Sequence, residues 1–297
     1  MVRRKQSKVT PIAAGRYTHH VDSALISPHN PVRVLLIGAG GTGSALISGL
    51  ARMHHALVAF GHPGLAVTVC DGDTVAESNI GRQLYSPADI SYNKSVVQVS
   101  RVNMHMGLSW HAHPFMFTER TLDDQDGKIP LVISAVDSAK ARIMIGKQIK
   151  KHTLYWLDCG NTRSTGQCFI GTSKGIKQPK KGKPTALSYL PTILDLYQDI
   201  SAFDIRKVQG AGCASVVASL RSQDLFINTQ VAGAALRLLW KAFRTGRIDV
   251  SGYIINQDSL TPERGVAVDP DTWGRMGWTC TELALDSNNN ESIEEAA

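Results

Sequence analysis

The chain has 297 residues, of which 43% are hydrophobic, and it carries a formal net charge of +7 at pH 7. This length and composition suffice to bury the core of one α/β domain of about 200 to 250 residues with appendages. No stretch approaches the roughly 20 apolar residues of a membrane-spanning helix, and the basic start MVRRKQSK leads into no apolar signal core, so we expect a cytoplasmic protein.

The five cysteines form no CxxC pair, so the sequence indicates neither a four-cysteine zinc site nor a disulfide framework, and we expect no zinc. The excess positive charge would suit a nucleic acid, and it would equally suit ATP or an acidic protein partner. Much of it is local, in basic clusters at residues 3–8 and 174–183. Because blocks of like charge are typical of solvated segments, nucleic acid binding is possible but not favoured.

The first predicted elements form a strand, helix, strand unit. Residues 1–30 show no sustained periodicity and are predicted to be a basic N-terminal arm. Residues 32–38 (VRVLLIG) have the short, β-branched pattern of a buried parallel strand, residues 44–60 have helical spacing, and residues 65–71 give a second strand. Such a βαβ unit is wound right-handed.

Further strands are predicted at residues 131–137, 154–160 and 166–172. Together with the βαβ unit they define residues 31–172 as a Rossmann-like, nucleotide-binding core with a doubly wound, mostly parallel sheet.

The remainder of the chain is predicted to complete the same domain. Residues 173–212 begin with a Gly-, Lys- and Pro-rich stretch and are predicted to form a flexible crossing loop. Residues 213–280 contain the strongest amphipathic helix, at 226–243, and a terminal antiparallel hairpin. Residues 281–297 are polar and acidic, which predicts a disordered tail.

The motif GAGGTG follows the first strand and opens the first long helix, with glycines at Gly38, Gly40, Gly41 and Gly43. Glycines permit a tight turn and let phosphate oxygens approach the N–H groups at a helix N-terminus. Asp71, at the end of the second strand, can accept hydrogen bonds from ribose hydroxyls. The pattern predicts a nucleotide site, although it does not separate NAD(P) chemistry from ATP chemistry, and such glycines can also serve helix-on-sheet packing alone.

A polar cluster just beyond the second strand favours ATP, and its members are Asn79, Arg82, Gln83 and Lys94. Two cations next to a glycine turn are suited to hold β- and γ-phosphates and to neutralise departing pyrophosphate. Asp137 ends the third strand, at the edge of the sheet where ligands bind, and its carboxylate can hold Mg²⁺ through water.

Each of these residues also has a structural interpretation. Arg82 and Lys94 could be surface cations, and Asn79 could stabilise a turn through a local side-chain hydrogen bond. Asp137 could cap the helix that follows it, with or without a second role in metal binding.

At these motifs the chain resembles the ThiF/MoeB/HesA superfamily, which includes the catalytic halves of ubiquitin-activating enzymes. Members carry GxGGxG, then DxDxVxxSNxxRQ, then a lysine, then a strand that ends in an aspartate followed by an arginine. The matching positions are Gly38 to Gly43, Asp71 to Gln83, Lys94, Asp137 and Arg142.

The resemblance implies a role for each matching position. Asp71 would bind the ribose, Asp137 would hold magnesium, and the phosphates would be bound by Asn79, Arg82 and Lys94. Asp73 and Gln83, within the second motif, are counted with the nucleotide-binding residues.

The resemblance implies ATP-dependent adenylation of the C-terminal carboxylate of a small ubiquitin-like protein that ends in glycine, with thioester formation or sulfur transfer as a next step. Cys213 is the candidate nucleophile, although the glycine and proline that follow the cysteine in relatives are absent. A small buried residue is the alternative for Cys213. Cys159 and Cys168 are predicted to be strand residues without a catalytic role.

Among sub-families, the absent zinc cysteines and the basic arm are most similar to the ThiF-related member of the plasmid-borne PRTRC cassette. Relatives in the superfamily are homodimers or pseudodimers, and the resemblance implies a homodimer in which an N-terminal arginine, Arg16 or the Arg3/Arg4 pair, reaches the partner's ATP. The alternative functions are a non-catalytic nucleotide-binding module that assembles a plasmid-borne system and, disfavoured by SNIGRQ, an NAD-dependent oxidoreductase.

Overall fold

A computed structural model describes residues 17–122, 128–180, 185–200 and 223–279. Within them the strands are β1 (Tyr17–His20), β2 (Val32–Ile37), β3 (Leu65–Cys70), β4 (His111–His113), β5 (Leu131–Ser134), β6 (Tyr155–Asn161), β7 (Thr165–Thr172), β8 (Thr185–Ala186), β9 (Arg247–Ile248), β10 (Val250–Asn256) and β11 (Glu263–Ala267).

The α-helices of the described residues are α1 (Ser23–Ile26), α2 (Gly41–Ala59), α3 (Lys94–Met106), α4 (Ala139–His152), α5 (Ile193–Leu196), α6 (Ile227–Thr245) and α7 (Pro270–Gly274). Two short 3-10 turns lie between β3 and α3, at Glu77–Asn79 and Pro87–Asp89. Each described helix is too short or too polar to cross a lipid bilayer.

The strands form an eight-stranded central sheet in the order β11-β10-β7-β6-β5-β2-β3-β4. The five strands from β6 to β4 in this order run parallel to one another. The remaining three strands are antiparallel to theirs, and β10 and β11 form the expected terminal hairpin. The predicted Rossmann-like sheet with a C-terminal antiparallel extension is therefore confirmed.

The core lies around β2 and its neighbours. Leu35 and Leu36, on opposite faces of β2, are both fully buried, as expected for a parallel strand that is covered on both sides. In the register of the sheet, Ile37 lies between Cys70 of β3 and Ser134 of β5. The carboxyl ends of β2, β3 and β5 therefore meet at one edge, which is where the predicted site residues follow.

The N-terminal segment differs from the prediction of an arm, because its described part belongs to a second sheet. β1 lies between β8 and β9 in a three-stranded sheet. His19 is fully buried, with Nδ1 2.7 Å from the Leu187 carbonyl oxygen and Nε2 2.9 Å from the Tyr155 hydroxyl. Burial lowers the pKa of His19 to about 4. The sequence shows no apolar periodicity over this strand, because its buried residues, Thr18 and His19, are polar and have internal hydrogen-bond partners.

The predicted crossing loop also contains packed structure in its described part. Leu187, Leu190 and Ile193 are buried, and the Thr172 N–H donates to the Leu190 carbonyl at 2.9 Å. The segment that carries β8 and α5 is therefore an element of the domain and not a free loop. Residues 1–16, 201–212 and 281–297, and Cys213 with them, lie outside the described residues.

Candidate functional site

The glycine turn joins β2 to α2, and three of its four glycines are required by their neighbours. Gly38 has φ +96°, and a Cβ on it would lie 2.6 Å from the Ala135 carbonyl oxygen. A Cβ on Gly43 would lie 2.0 Å from the Gly38 carbonyl oxygen, and one on Gly41 would lie 2.5 Å from Asn228 Cγ. A Cβ on Gly40 would meet no described atom within 4 Å. Gly40, at the N-cap of α2, thus marks the point where an anion can approach.

Asp71 connects the end of β3 to this turn. Its Oδ2 accepts a hydrogen bond from the Ala39 N–H at 2.6 Å, and its Oδ1 accepts one from the Asp73 N–H at 2.8 Å. Burial raises the pKa of the Asp71 carboxyl, against the opposing effect of these two backbone donors. Since a carboxylate has about four acceptor positions, Asp71 can hold the turn and still accept from a ribose hydroxyl.

The segment between β3 and α3 is bound directly to the glycine turn. The Tyr85 hydroxyl lies 2.6 Å from the Ala39 carbonyl oxygen and 3.3 Å from that of Lys94. The Leu84 N–H donates to Ser44 Oγ of α2 at 3.3 Å. These contacts bring the stretch that carries the predicted phosphate-binding residues against the turn that was predicted to hold the same phosphates.

Lys94 is the first residue of α3, and its side chain is almost fully buried. Its ammonium Nζ lies 3.0 Å from Asp73 Oδ2, while the Asp73 side chain is half exposed. Two of the predicted nucleotide-binding residues therefore form an ion pair with each other. A phosphate that binds Lys94 would have to compete with the Asp73 carboxylate.

Asn79 adopts the turn geometry that was its structural interpretation. The side chain is buried, and Oδ1 accepts a hydrogen bond from the Ala76 N–H at 3.0 Å. Next to it, the Gln83 N–H donates to the Asn79 carbonyl at 3.0 Å. The buried Gln83 Oε1 has no hydrogen-bond partner among the described residues.

Arg82 lies at the same turn with an incompletely satisfied guanidinium. Its Nη1 donates to Gln223 Oε1 at 3.1 Å, while its buried Nε has no partner within the described part of the chain. None of the ion pairs between described residues involves Arg82. The described residues thus supply no counter-charge to this arginine, a condition that suits an anionic ligand.

Asp137 lies three residues beyond the end of β5 and is exposed. The cap of α4 is Ser138, whose Oγ accepts from the Ala141 N–H at 3.1 Å, so the interpretation of Asp137 as the helix cap is wrong. The same loop begins at Ala135, which contacts Gly38. Asp137 therefore lies two residues along the chain from a residue that contacts the glycine turn.

A buried network fixes the loop of Asp137, and the sequence analysis did not find its acidic member. Arg142 Nε lies 3.0 Å from Asp158 Oδ2, and Arg142 Nη2 donates to the Val136 carbonyl at 2.6 Å. Ser134 Oγ donates to Asp158 Oδ1 at 2.6 Å. A carboxylate in the middle of an apolar strand needs a buried partner, and this was the signal in the sequence LYWLDCG that could have revealed Asp158.

Two amide side chains near the start of α6 were also missed. Gln223 Oε1 accepts from Arg82 and, at 3.2 Å, from Asn228 Nδ2. Asn228 is buried, and its Oδ1 accepts from Thr42 Oγ1 in the first turn of α2 at 3.1 Å. These residues belong to none of the motifs. No pattern in the sequence connects Gln223 to Arg82, which is 141 positions away, or Asn228 to Thr42, which is 186 positions away.

The described cysteines are unsuited to nucleophilic attack. Cys70, Cys159 and Cys168 are buried, and burial raises the pKa of both Cys70 and Cys168 to about 12. Burial also raises the pKa of Cys159 well above its ordinary value. Since the thiolate is the reactive form, these three residues are structural. Within the described residues no group of three or more His, Cys, Asp or Glu side chains is placed to hold a metal ion.

The family model of the ThiF family matches residues 27–226. The crystal structure of PaaA is similar, with a TM-score of 0.55 and 15% identity over 80% of this chain and 73% of PaaA. So is Escherichia coli MccB with AMPCPP and MccA, with a TM-score of 0.54 and 13% identity over 80% of this chain and 65% of MccB.

A second structure of the same protein, MccB with ATP, gives a TM-score of 0.54 and 14% identity over 84% of this chain and 66% of MccB. The match thus spans slightly less than two thirds of MccB in both of these structures. No curated protein is similar enough in sequence to count as a match. At these identities the structures show a shared fold, while the family match indicates an ATP-binding, adenylyltransferase-type enzyme.

Proposed function

The chain belongs to the ThiF family, and from that premise we propose that it transfers AMP from ATP to the C-terminal carboxylate of a small ubiquitin-like protein. The observation that supports this most is the state of Arg82. Its guanidinium is linked to the first turn of α2 through Gln223 and Asn228, and it has no carboxylate partner among the described residues. A cation to which the described residues supply no counter-charge is suited to a polyphosphate.

The proposed reaction needs positioning and charge stabilisation more than a strong base. The substrate carboxylate attacks the α-phosphate, the bond from the α-phosphorus to its bridging oxygen breaks, and pyrophosphate leaves with its electron pair. Arg82 would neutralise charge on the departing phosphates, and the N–H groups at the start of α2 would bind phosphate oxygens. Asp71 holds the turn in place through Ala39, so these donors are oriented before the nucleotide binds.

Magnesium would be held in this site by Asp137, which is exposed on the loop that begins beside Gly38. Bound there, the ion would reduce the negative charge of the phosphates. The contribution of the chain is to hold that loop, which it does through the Arg142 hydrogen bond to the Val136 carbonyl.

The ubiquitin-like substrate rests on the motif resemblance. E. coli MccB has been crystallised with AMPCPP together with MccA, and this supports a site that takes a nucleotide and a second molecule. Assembly as a homodimer, membership of a PRTRC cassette and thioester formation at Cys213 remain predictions.

The test is ATP–pyrophosphate exchange with and without a peptide that carries the C-terminal sequence of a candidate ubiquitin-like protein. We expect exchange that requires Mg²⁺ and the peptide, and an AMP adduct on the peptide terminus by mass spectrometry. Arg82→Ala and Asp137→Ala should each abolish exchange. The matched control is Arg52→Ala, an exposed arginine about 16 Å along α2 from Gly41. Undiminished exchange in both site variants would contradict the proposal.

A further inference from the structure

The cations around the glycine turn differ in what they are bound to. Lys94 is paired with Asp73, and Arg142 is paired with Asp158. Arg82 instead donates to the amide oxygen of Gln223 at 3.1 Å. A neutral acceptor in this position calls for an explanation, because arginine in a partly buried site is most often matched with a carboxylate.

The orientation of the Gln223 amide is fixed by its other contacts. Its Nε2 donates to the Thr162 carbonyl oxygen at 3.1 Å, so the NH₂ group must point there and the oxygen must point to Arg82. The same oxygen accepts from Asn228 Nδ2 at 3.2 Å. With described residues Gln223 therefore makes three hydrogen bonds, and their donor and acceptor roles are consistent with one orientation.

This amide is also connected to the glycine turn. Asn228 is buried, accepts from Thr42 Oγ1, and lies close enough to Gly41 to exclude a side chain there. Successive hydrogen bonds join Arg82 to Gln223, Gln223 to Asn228, and Asn228 to Thr42. They fix the guanidinium relative to the first turn of α2. The position of Arg82 is set by the element that would bind the phosphates.

The chemical distinction between an amide and a carboxylate is the charge. An amide oxygen aligns a guanidinium through a hydrogen bond and leaves its full positive charge to act on a third group. A carboxylate of the same shape would form a charge-assisted pair with the arginine, and an incoming phosphate would have to displace it.

We propose that Gln223 is a positioning residue that orients the Arg82 guanidinium toward the glycine turn while leaving its charge available to a nucleotide phosphate. This rests on the proposed nucleotide site, and it adds a determinant of phosphate affinity outside the family motifs. Gln223 acts through Arg82 and does not itself have to touch the nucleotide.

The test compares Gln223→Glu with Gln223→Met, by calorimetric titration with ATP and with adenosine, which has no phosphate. We expect Gln223→Glu to weaken ATP binding about tenfold or more, since charge-assisted bonds contribute about 1.5 to 3 kcal/mol. Gln223→Met should weaken it less, because the charge of Arg82 stays free. Adenosine affinity should be unchanged in both, whereas a general collapse of the site would weaken both ligands. Gln198→Glu, at an exposed glutamine that donates to the Gly277 carbonyl, is the matched control for the added charge.

A double-mutant cycle makes the result specific to Arg82. In the Arg82→Ala background Gln223→Glu should change the ATP affinity less than about twofold, because the group it acts through is gone. Equal losses in both backgrounds, or equal losses for ATP and adenosine, would overturn the positioning role. Wild-type protein that binds ATP but supports no exchange would contradict the proposed adenylation and leave this inference standing. Wild-type protein that binds no ATP would overturn both.

Discussion

Arg82 and Arg142 show two uses of the same side chain. Arg142 is 9% exposed and forms an ion pair with Asp158, which is fully buried, so its charge is compensated inside the fold. Arg82 is bound to an amide, and its Nε has no partner in the part of the chain that the structure describes. The partner of an arginine therefore indicates whether its charge stabilises the structure or remains available for a ligand.

Asp158→Asn is expected to have the largest effect, and the effect should be on stability. It leaves the Arg142 charge buried without a counter-charge, which costs about 3 to 5 kcal/mol of unfolding free energy. Urea denaturation followed by circular dichroism would measure this. Lys241→Gln, which breaks the exposed pair with Asp249, is the control and should cost less than about 1 kcal/mol. Similar losses of unfolding free energy in the two variants would contradict a stabilising role for the Arg142–Asp158 pair.

Arg82→Ala should give the opposite pattern. The kcat/KM of the exchange reaction should fall about 100- to 1000-fold, or about 2.7 to 4 kcal/mol of activation free energy, as when a transition-state donor is removed. The unfolding free energy should change by less than about 1 kcal/mol, because the guanidinium has one hydrogen-bond partner among the described residues. A variant that is strongly destabilised and otherwise fully active would break the contrast between the two arginines.

Two glycines of the turn should likewise separate an effect on stability from an effect on nucleotide binding, with smaller magnitudes than the arginines. Gly43→Ala should cost about 1 to 3 kcal/mol of stability, because its Cβ would lie 2.0 Å from the Gly38 carbonyl oxygen. Gly40→Ala should cost less than about 1 kcal/mol, since no described atom lies within 4 Å of the new Cβ. It should instead raise the KM for ATP severalfold by occupying the space a phosphate would use. Thermal unfolding and exchange kinetics on both variants would check this.

Asp71 should produce the smallest effect, visible in the pH dependence of stability. Because burial raises the pKa of Asp71 above its ordinary 3.8, the folded protein holds this proton more tightly than the unfolded chain. The resulting stabilisation is fully present below about pH 3.8 and is lost as the pH rises through the folded-state pKa. Asp71→Asn should therefore show a flatter decline of unfolding free energy above pH 4 than the wild type. Parallel curves would show that Asp71 does not titrate differently in the fold.

Much of the central sheet was predictable because its signals are local. The apolar run at Val32–Ile37, the glycines after it and the helical spacing of α2 follow one another directly in the chain. The motif residues before Lys94 are likewise close in sequence, and Tyr85 binds them to the turn. Local patterns of this kind depend little on the rest of the fold.

The missed residues depend on contacts between distant parts of the chain. Gln223 meets Arg82 across 141 positions, and His19 meets Tyr155 across 136. Neither pairing leaves a periodic pattern, because a polar residue inside the protein is defined by its partner and not by its neighbours in sequence. For the same reason β1 was assigned to an arm, although its buried histidine belongs to the domain.

Helix α6 extends from the candidate site to the second sheet. Its first turn holds Asn228 against the start of α2, and at its other end Gly246 accepts a hydrogen bond from the Val21 N–H at 3.0 Å. The 19 residues between these ends make a rod about 28 Å long, which resists compression along its axis. Asn228 and the hydrogen-bond partner of Val21 therefore lie at opposite ends of one rigid element. The segment after the amino-terminal strand and the first turn of α2 are thus bonded to opposite ends of the same helix.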